Sequence, residues 1–323
     1  MNVSKTLSVN KLAWKLLLKM LENSDLYGIK VTESELGTVV VDAGIEAEGG
    51  FQAGEIITEI CMGGCGKAKI ICKNYGKFEL PSIFVYTDHP VIATLGSQYA
   101  GWQINEEGYF AIGSGPARAL ALKPKKIYDE IGYTDSFNKA IVILETDKTP
   151  PPRLMRRIAG DCKIDPKNLA VVLTPTTSTA GAVQVSGRII ETGIHKLRRL
   201  GLNPNVILHA WGTAPILPSH PKFRNAMART NDAILYGGSA SYVVEHDDDE
   251  LKKIVKKAPS MASIAYGKPF AEIFKEAEYD FYKVDPDLFA PAIISICNKK
   301  TGLTFSAGKM NTGILETSLY AKH

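Results

Sequence analysis

Short apolar runs rich in β-branched residues recur along most of this chain: GTVVVDAG, KAKIICK, SIFVYTD, KAIVILETD, NLAVVLTPT, NVILHA, DAILYGG and PAIISICN, each bounded by Gly, Pro, Asn or Asp. Runs of that kind read as strands, and the patterns between them read as helices that must cover the sheets, so the fold class is α+β with mixed sheets. Apolar spacing predicts helices over 8–24, 51–61, 187–201, 248–258 and 266–278. The first carries Leu12, Ala13, Leu16, Leu17, Met20 and Leu21 on one stripe, with lysines on the other side. HDDDE at 246–250 reads as the acidic first turn of a helix; a magnesium site would draw its carboxylates from separate elements.

With 323 residues and 45% apolar content the chain can bury two cores or one large one. Three consecutive prolines in TDKTPPPRL, 146–154, can continue neither a helix nor a central strand, and the boundary between two lobes, 1–148 and 149–323, is expected there, with room for the chain to cross back. Lys and Arg exceed Asp and Glu only by 38 to 34 and are scattered, which argues against nucleic acid or an anionic membrane as partner and leaves room for a small anionic ligand. The opening lacks the long apolar core of a signal peptide and no later run could span a bilayer, so a cytoplasmic location is expected. Five cysteines, an odd count, argue against disulfides. The spacing of Cys61, Cys65 and Cys72 fits neither a zinc pair nor an iron–sulfur run, and the expectation is buried thiols around a Gly-rich turn, with no metal.

Two phosphate-loop look-alikes fail. GLTFSAGKM at 302–310 has five residues between Gly302 and Gly308 and Met310 where a hydroxyl should hold magnesium. GSGPARAL at 113–120 lacks the third glycine of a dinucleotide fingerprint. What survives is a Gly-Ser loop, Gly113, Ser114 and Gly115, opening a helix at Pro116; it is either an anion site or an ordinary strand-to-helix turn. YGGSASY at 236–242 has the same double reading, because its paired glycines let a backbone approach a ligand or let a strand bend. His209 and His220 flank AWGTAPILPS, a loop able to line a pocket, where an isolated histidine is usually structural.

One helix carries an unexpected order of charges. In SGRIIETGIHKLRRLG, 186–201, Arg188, Glu191 and His195 project together while Ile190, Ile194, Leu197 and Leu200 take the other side. Arg188 falls in the first turn, where the helix dipole favours anions, and precedes Glu191, the less favourable order for an ion pair. With Ser186 as N-cap, Glu191 is no capping-box partner. The preceding TPTTSTAGAVQVSG reads as a long loop of small hydroxylated residues, of the kind that closes over ligands. From the residues alone, a solvated face and a functional pair both stand.

Taken together, VVVDAGIEAEGGFQAG, CMGGCG, GSGPARAL, AGAVQVSGRIIETGIHKL and RTNDAILYGG give a chain that resembles the methenyl-tetrahydromethanopterin cyclohydrolases of one-carbon metabolism along essentially its whole length. Cys65 departs from the resemblance, since an apolar residue is expected there in relatives. The resemblance implies two α+β lobes with a substrate pocket between them, a homotrimer, a pterin substrate, and neither metal nor cofactor. It implies Glu191 as the base that activates water and Arg188 as the group that orients and tunes it. Arg118 and Lys309, with the 113–118 turn, Tyr236 and Gly237, are candidate contacts to the substrate and its anionic tail. A non-enzymatic pterin carrier and a cyclohydrolase acting on a folate-type carrier are the alternatives.

Overall fold

The computed structural model describes residues 7–106 and 108–320. Twelve strands form two six-stranded sheets. They are β1 (Lys30–Glu33), β2 (Val39–Asp42), β3 (Lys67–Asn74), β4 (Glu79–Thr87), β5 (Trp102–Glu106), β6 (Tyr109–Ser114), β7 (Ala140–Glu145), β8 (Leu169–Leu173), β9 (Ile207–Pro215), β10 (Ser239–Val244), β11 (Ile293–Asn298) and β12 (Thr304–Gly308). Helix and sheet are mixed in both halves, as the α+β reading expects.

The first unit takes the described chain up to Lys67 and again over Val91–Gln184. Its sheet runs β1-β2-β8-β7-β6-β5, with β8 parallel to both β2 and β7 and the outer pairs antiparallel. Side chains alternate between two cores. Val41, Ile141, Ile143 and Val172 pack with Leu17, Met20, Ile57 and Ile60 of helices Val9–Glu22 and Phe51–Cys61. Val40, Val142, Leu144 and Val171 pack with Leu154, Met155 and Ile158 of helix Pro152–Asp161. Strands covered on both faces need no polar side, which is why KAIVILETD and NLAVVLTPT are continuous apolar runs.

The second unit consists of Ala68–Pro90 and the chain from Val185 onward. Its sheet runs β12-β11-β10-β9-β4-β3, with only β10 and β11 parallel among the registered pairs. Here burial alternates strictly: Ala240, Tyr242 and Val244 of β10 and Ile294 and Ile296 of β11 face inward, while Ser241, Val243, Ser295 and Cys297 are half-exposed. Helices Phe223–Gly237, Phe270–Glu276 and Thr312–Tyr320 enclose a further core around Tyr236, Phe270, Phe274 and Leu315.

The five expected helices are present, at 9–22, 51–61, 189–199, 248–257 and 270–276. Asp247 caps the 248–257 helix, its carboxylate accepting the Glu250 N–H at 3.0 Å, so the acidic run is a helix start. Four expectations are corrected. DAILYGG is the last turn of helix Phe223–Gly237, and the strand begins only after Gly238; a short apolar run cannot by itself distinguish a strand from a buried helix end. AWGTAP continues β9 and is not a loop. Most of TPTTSTAGAVQVSG is helix, Thr179–Ser186, with the Ser178 hydroxyl accepting the Gly181 N–H at 3.0 Å. The division at 148/149 also fails: the prolines lead into helix Pro152–Asp161, which joins parallel neighbours β7 and β8 within one sheet. The crossings lie at 67/68, 90/91 and 184/185.

Candidate active site

Arg188 and Glu191 belong to the second unit and follow a joint between two helices, the first of which, Thr179–Ser186, carries the chain from the first unit into the second. Helix Thr179–Ser186 ends, the Arg188 N–H returns to the Val185 carbonyl at 3.0 Å, and Arg188 (φ −80°, ψ 5°) becomes the N-cap of helix Ile189–Arg199. Ser186 is therefore not the cap; it closes the preceding helix and its hydroxyl donates to the Pro215 carbonyl at 3.0 Å. This joint explains the order of charges. The end of the 179–186 helix favours a cation just beyond it, and the first turn of the 189–199 helix favours the carboxylate of Glu191.

Neither charge faces open solvent. Arg188 is 8% exposed and Glu191 6%, so the solvated-face reading is overturned. Charges are buried at a cost in desolvation, and such a site asks for partners or a function. The joint is fixed by Thr192, whose N–H and hydroxyl both donate to the Arg188 carbonyl, at 2.8 and 3.0 Å. Ile189 and Ile190 are fully buried. One turn on, His195 is half-buried and pushed down to about 4, by burial first and then by Arg198 and Arg199. Lys196, 1% exposed, reaches the Asp287 carboxylate at 2.8 Å and its carbonyl at 3.1 Å. Tyr242, fully buried on β10, has its phenol pushed well above the usual range by burial and by the charge of Glu191.

A family model described as "Cyclohydrolase (MCH)" matches residues 8–319. The chain is 44% identical over 315 residues to the methenyltetrahydromethanopterin cyclohydrolase of Methanothermobacter marburgensis, covering 96% of this chain and 98% of that protein. The chain belongs to the methenyltetrahydromethanopterin cyclohydrolase family. Similar proteins of the same name occur in Methanocaldococcus jannaschii, 43% identical over 97% of this chain and 98% of that protein, and in Methylobacillus flagellatus, 41% identical over 96% and 95%.

The other residues marked in the sequence divide by role. Gly113 and Ser114 are buried at the end of β6, with the Ser114 hydroxyl 3.4 Å from the Cys61 sulfur. Gly115, at φ +90°, turns the chain where a Cβ would stand 2.3 Å from Ile143, and its N–H donates to the Ser97 carbonyl at 3.0 Å. Arg118 is fully buried: Nε donates to the Lys123 carbonyl at 2.8 Å and Nη1 to those of Leu95 and Ser97 at 3.2 and 3.0 Å, between the rings of Tyr99 and Tyr128. Two of those carbonyls belong to the π-helical turn Thr94–Gln98 and its approach, so this arginine fastens backbone where an anion anchor was expected. Tyr236 is likewise internal, its hydroxyl donating to the Lys268 carbonyl at 2.5 Å, and a Cβ on Gly237 would lie 2.6 Å from Pro215. Lys309 is exposed, next to Gly308 at the end of β12.

The two marked histidines have structural partners: His209, within β9, pairs with Asp88 at 2.8 Å, and His220, beyond it, has its Nδ1 accepting the Lys222 N–H at 2.9 Å. Of the three clustered cysteines, Cys61 is buried, Cys65 half-buried with its thiol pushed up to about 12 by burial, and Cys72 exposed, which corrects the expectation of three buried thiols. Among the described residues, no three His, Cys, Asp or Glu side chains group as a metal-ligand set, and no helix is long and apolar enough to cross a membrane. Two residues escaped sequence reasoning. Asp42 accepts four backbone N–H groups, from Gly44 to Ala47, which outweigh burial and hold its carboxyl below the ordinary range; the signal was an Asp-x-Gly beginning on the last residue of a strand. Lys196 had no local signal, because Asp287 is far along the chain.

Proposed function

We propose that the chain hydrolyses 5,10-methenyl-tetrahydromethanopterin reversibly to the 5-formyl derivative, with Glu191 as the base. The observation that carries the reading is the burial of Glu191 and Arg188 at the head of one helix in a chain that matches the family over residues 8–319. The substrate holds its one-carbon unit between two nitrogens as a formamidinium cation, an electrophile that water attacks once it is positioned. Glu191 takes a proton from that water as the C–O bond forms. The tetrahedral carbinolamine then loses its hydroxyl proton as the carbonyl forms, one C–N bond breaks, and the departing nitrogen is protonated; the net change releases one proton. Arg188 orients the carboxylate and opposes its neutralisation by the cation it faces. Every step is acid–base or addition–elimination, so the reading assigns no metal or redox cofactor.

Lys309, the one anchor candidate in open solvent, is assigned to the anionic tail. A cytoplasmic homotrimer is inferred from family likeness alone. The test is loss of the methenyl chromophore on mixing substrate with protein. Glu191→Gln should still bind and lose about 10²- to 10⁴-fold in turnover, the usual worth of a positioned base. Arg188→Ala should lose less. Chromophore persistence with binding by the wild type would favour a carrier, and faster turnover on a folate-type substrate would reassign the substrate.

A further inference from the structure

The head of helix 189–199 is seated on the second unit's sheet by close approaches. Ile189 rests against two glycines: a Cβ on Gly238, just before β10, would lie 2.5 Å from its Cδ1, and one on Gly212 of β9 3.1 Å from its Cγ2. The third seat is polar. The Tyr242 hydroxyl donates to the Ile190 carbonyl at 2.9 Å. That carbonyl belongs to the peptide unit joining Ile190 to Glu191, so the bond fixes the plane from which the Glu191 Cα departs. Gly193 leaves the space the phenol occupies, since a Cβ there would stand 1.9 Å from Oη. Glycine inside a helix is less favourable than alanine, so room for the hydroxyl is kept against helix propensity.

We propose that Tyr242 is a positioning residue for Glu191: through the Ile190–Glu191 peptide, and beneath the gap left by Gly193, it sets the direction in which the carboxylate meets water. The proposal rests on reading Glu191 as the base. Tyr242 is fully buried and its hydroxyl proton is committed to the Ile190 carbonyl, so it is assigned to holding that peptide and not to donating a proton to substrate. Small errors in the placement of a reacting group are costly, so a single hydrogen bond to this peptide has leverage on turnover.

The test is a cycle read as kcat, KM and their pH profiles for the wild type, Tyr242→Phe, Glu191→Gln and the double variant, with folding checked by circular dichroism and melting. Tyr242→Phe should lower kcat by about three- to tenfold, keep KM within about twofold, and move the acidic limb of the kcat profile. In the Glu191→Gln background the same change should cost nothing more. A second variant guards against misfolding. Gly193→Ala alone should be disrupted by the clash, and Gly193→Ala/Tyr242→Phe, which removes the 1.9 Å contact and leaves the ring Cζ at 3.0 Å, should recover part of the lost melting temperature while its kcat stays at or below the Tyr242→Phe level. Wild-type kcat and pH limb in Tyr242→Phe, or an equal fractional loss in both backgrounds, would overturn the positioning role while leaving the base intact. Wild-type turnover in Glu191→Gln would remove the base reading itself. If Tyr242→Phe and Gly193→Ala/Tyr242→Phe both fail to fold, the hydroxyl is a requirement of the fold and the proposal is overturned as well.

Discussion

Strands β7 and β8 of the first unit are buried on both faces, whereas β10 and β11 of the second are buried at alternate residues. The two units also use their buried cations differently. Arg118 in the first is committed to backbone carbonyls, while Arg188 in the second stands at a helix joint three residues before a buried carboxylate. Burial of a charge is thus no guide to its role without its partners: one arginine closes a turn, and the other stands at a helix joint beside a buried acid.

The contrast between the sheets can be broken at paired positions. Ile141→Ala on β7 should destabilise by about 2–5 kcal/mol in denaturant melts, because it empties a site closed on all sides. Ser241→Ala, on the half-exposed face of β10, should stay within about 0.5 kcal/mol. Similar losses at both would mean that the outer face of the second sheet is covered in the working protein. The contrast between the arginines is sharpened by Arg118→Lys, which loses the planar fork and should cost about 1.5–3 kcal/mol of stability for each charged hydrogen bond not replaced. KM should not move; a raised KM with unchanged melting would restore Arg118 as an anchor.

A further effect concerns pH. His195 titrates near 6.5 in an unfolded chain and is pushed down to about 4 in the fold. Between those values the unfolded state binds a proton that the folded state refuses. The corresponding stability is whole above pH 6.5 and is lost as pH falls toward 4. His195→Gln should flatten that part of the melting profile and leave neutral-pH turnover unchanged. Lost turnover would give the imidazole a part in the reaction.

Most strands and all five expected helices were legible because their periods are local properties of the chain. The 189–199 helix was legible from its apolar spacing, and its two charges stood out by their order, which left a solvated face and a functional pair both open until the resemblance was added. What was missed depends on partners distant in sequence. Ser186 looks like a cap until the 179–186 helix is seen to end on it. DAILYGG looks like a strand until the residues before it are seen to be helical. Arg118 looks like an anion anchor because only the folded chain brings the Leu95 and Ser97 carbonyls to it. The proline run looked like a lobe boundary because stiffness is visible in sequence and sheet membership is not.

The placement of Ala68–Pro90 in the second unit has a consequence for how the protein is made. Strand β4 pairs with β9, Ser82 opposite Pro215, so this hairpin leaves the ribosome long before its partner exists. At about 5–20 residues per second the wait is on the order of ten seconds, during which an unpaired edge stands open to other nascent chains. Neither half can be cut away as a self-sufficient module: a fragment beginning at Val185 would lack β3 and β4 and expose the flank of β9. Gene fusion, split-protein reassembly and recombination between relatives are therefore constrained less by the proline run than by this early, borrowed hairpin.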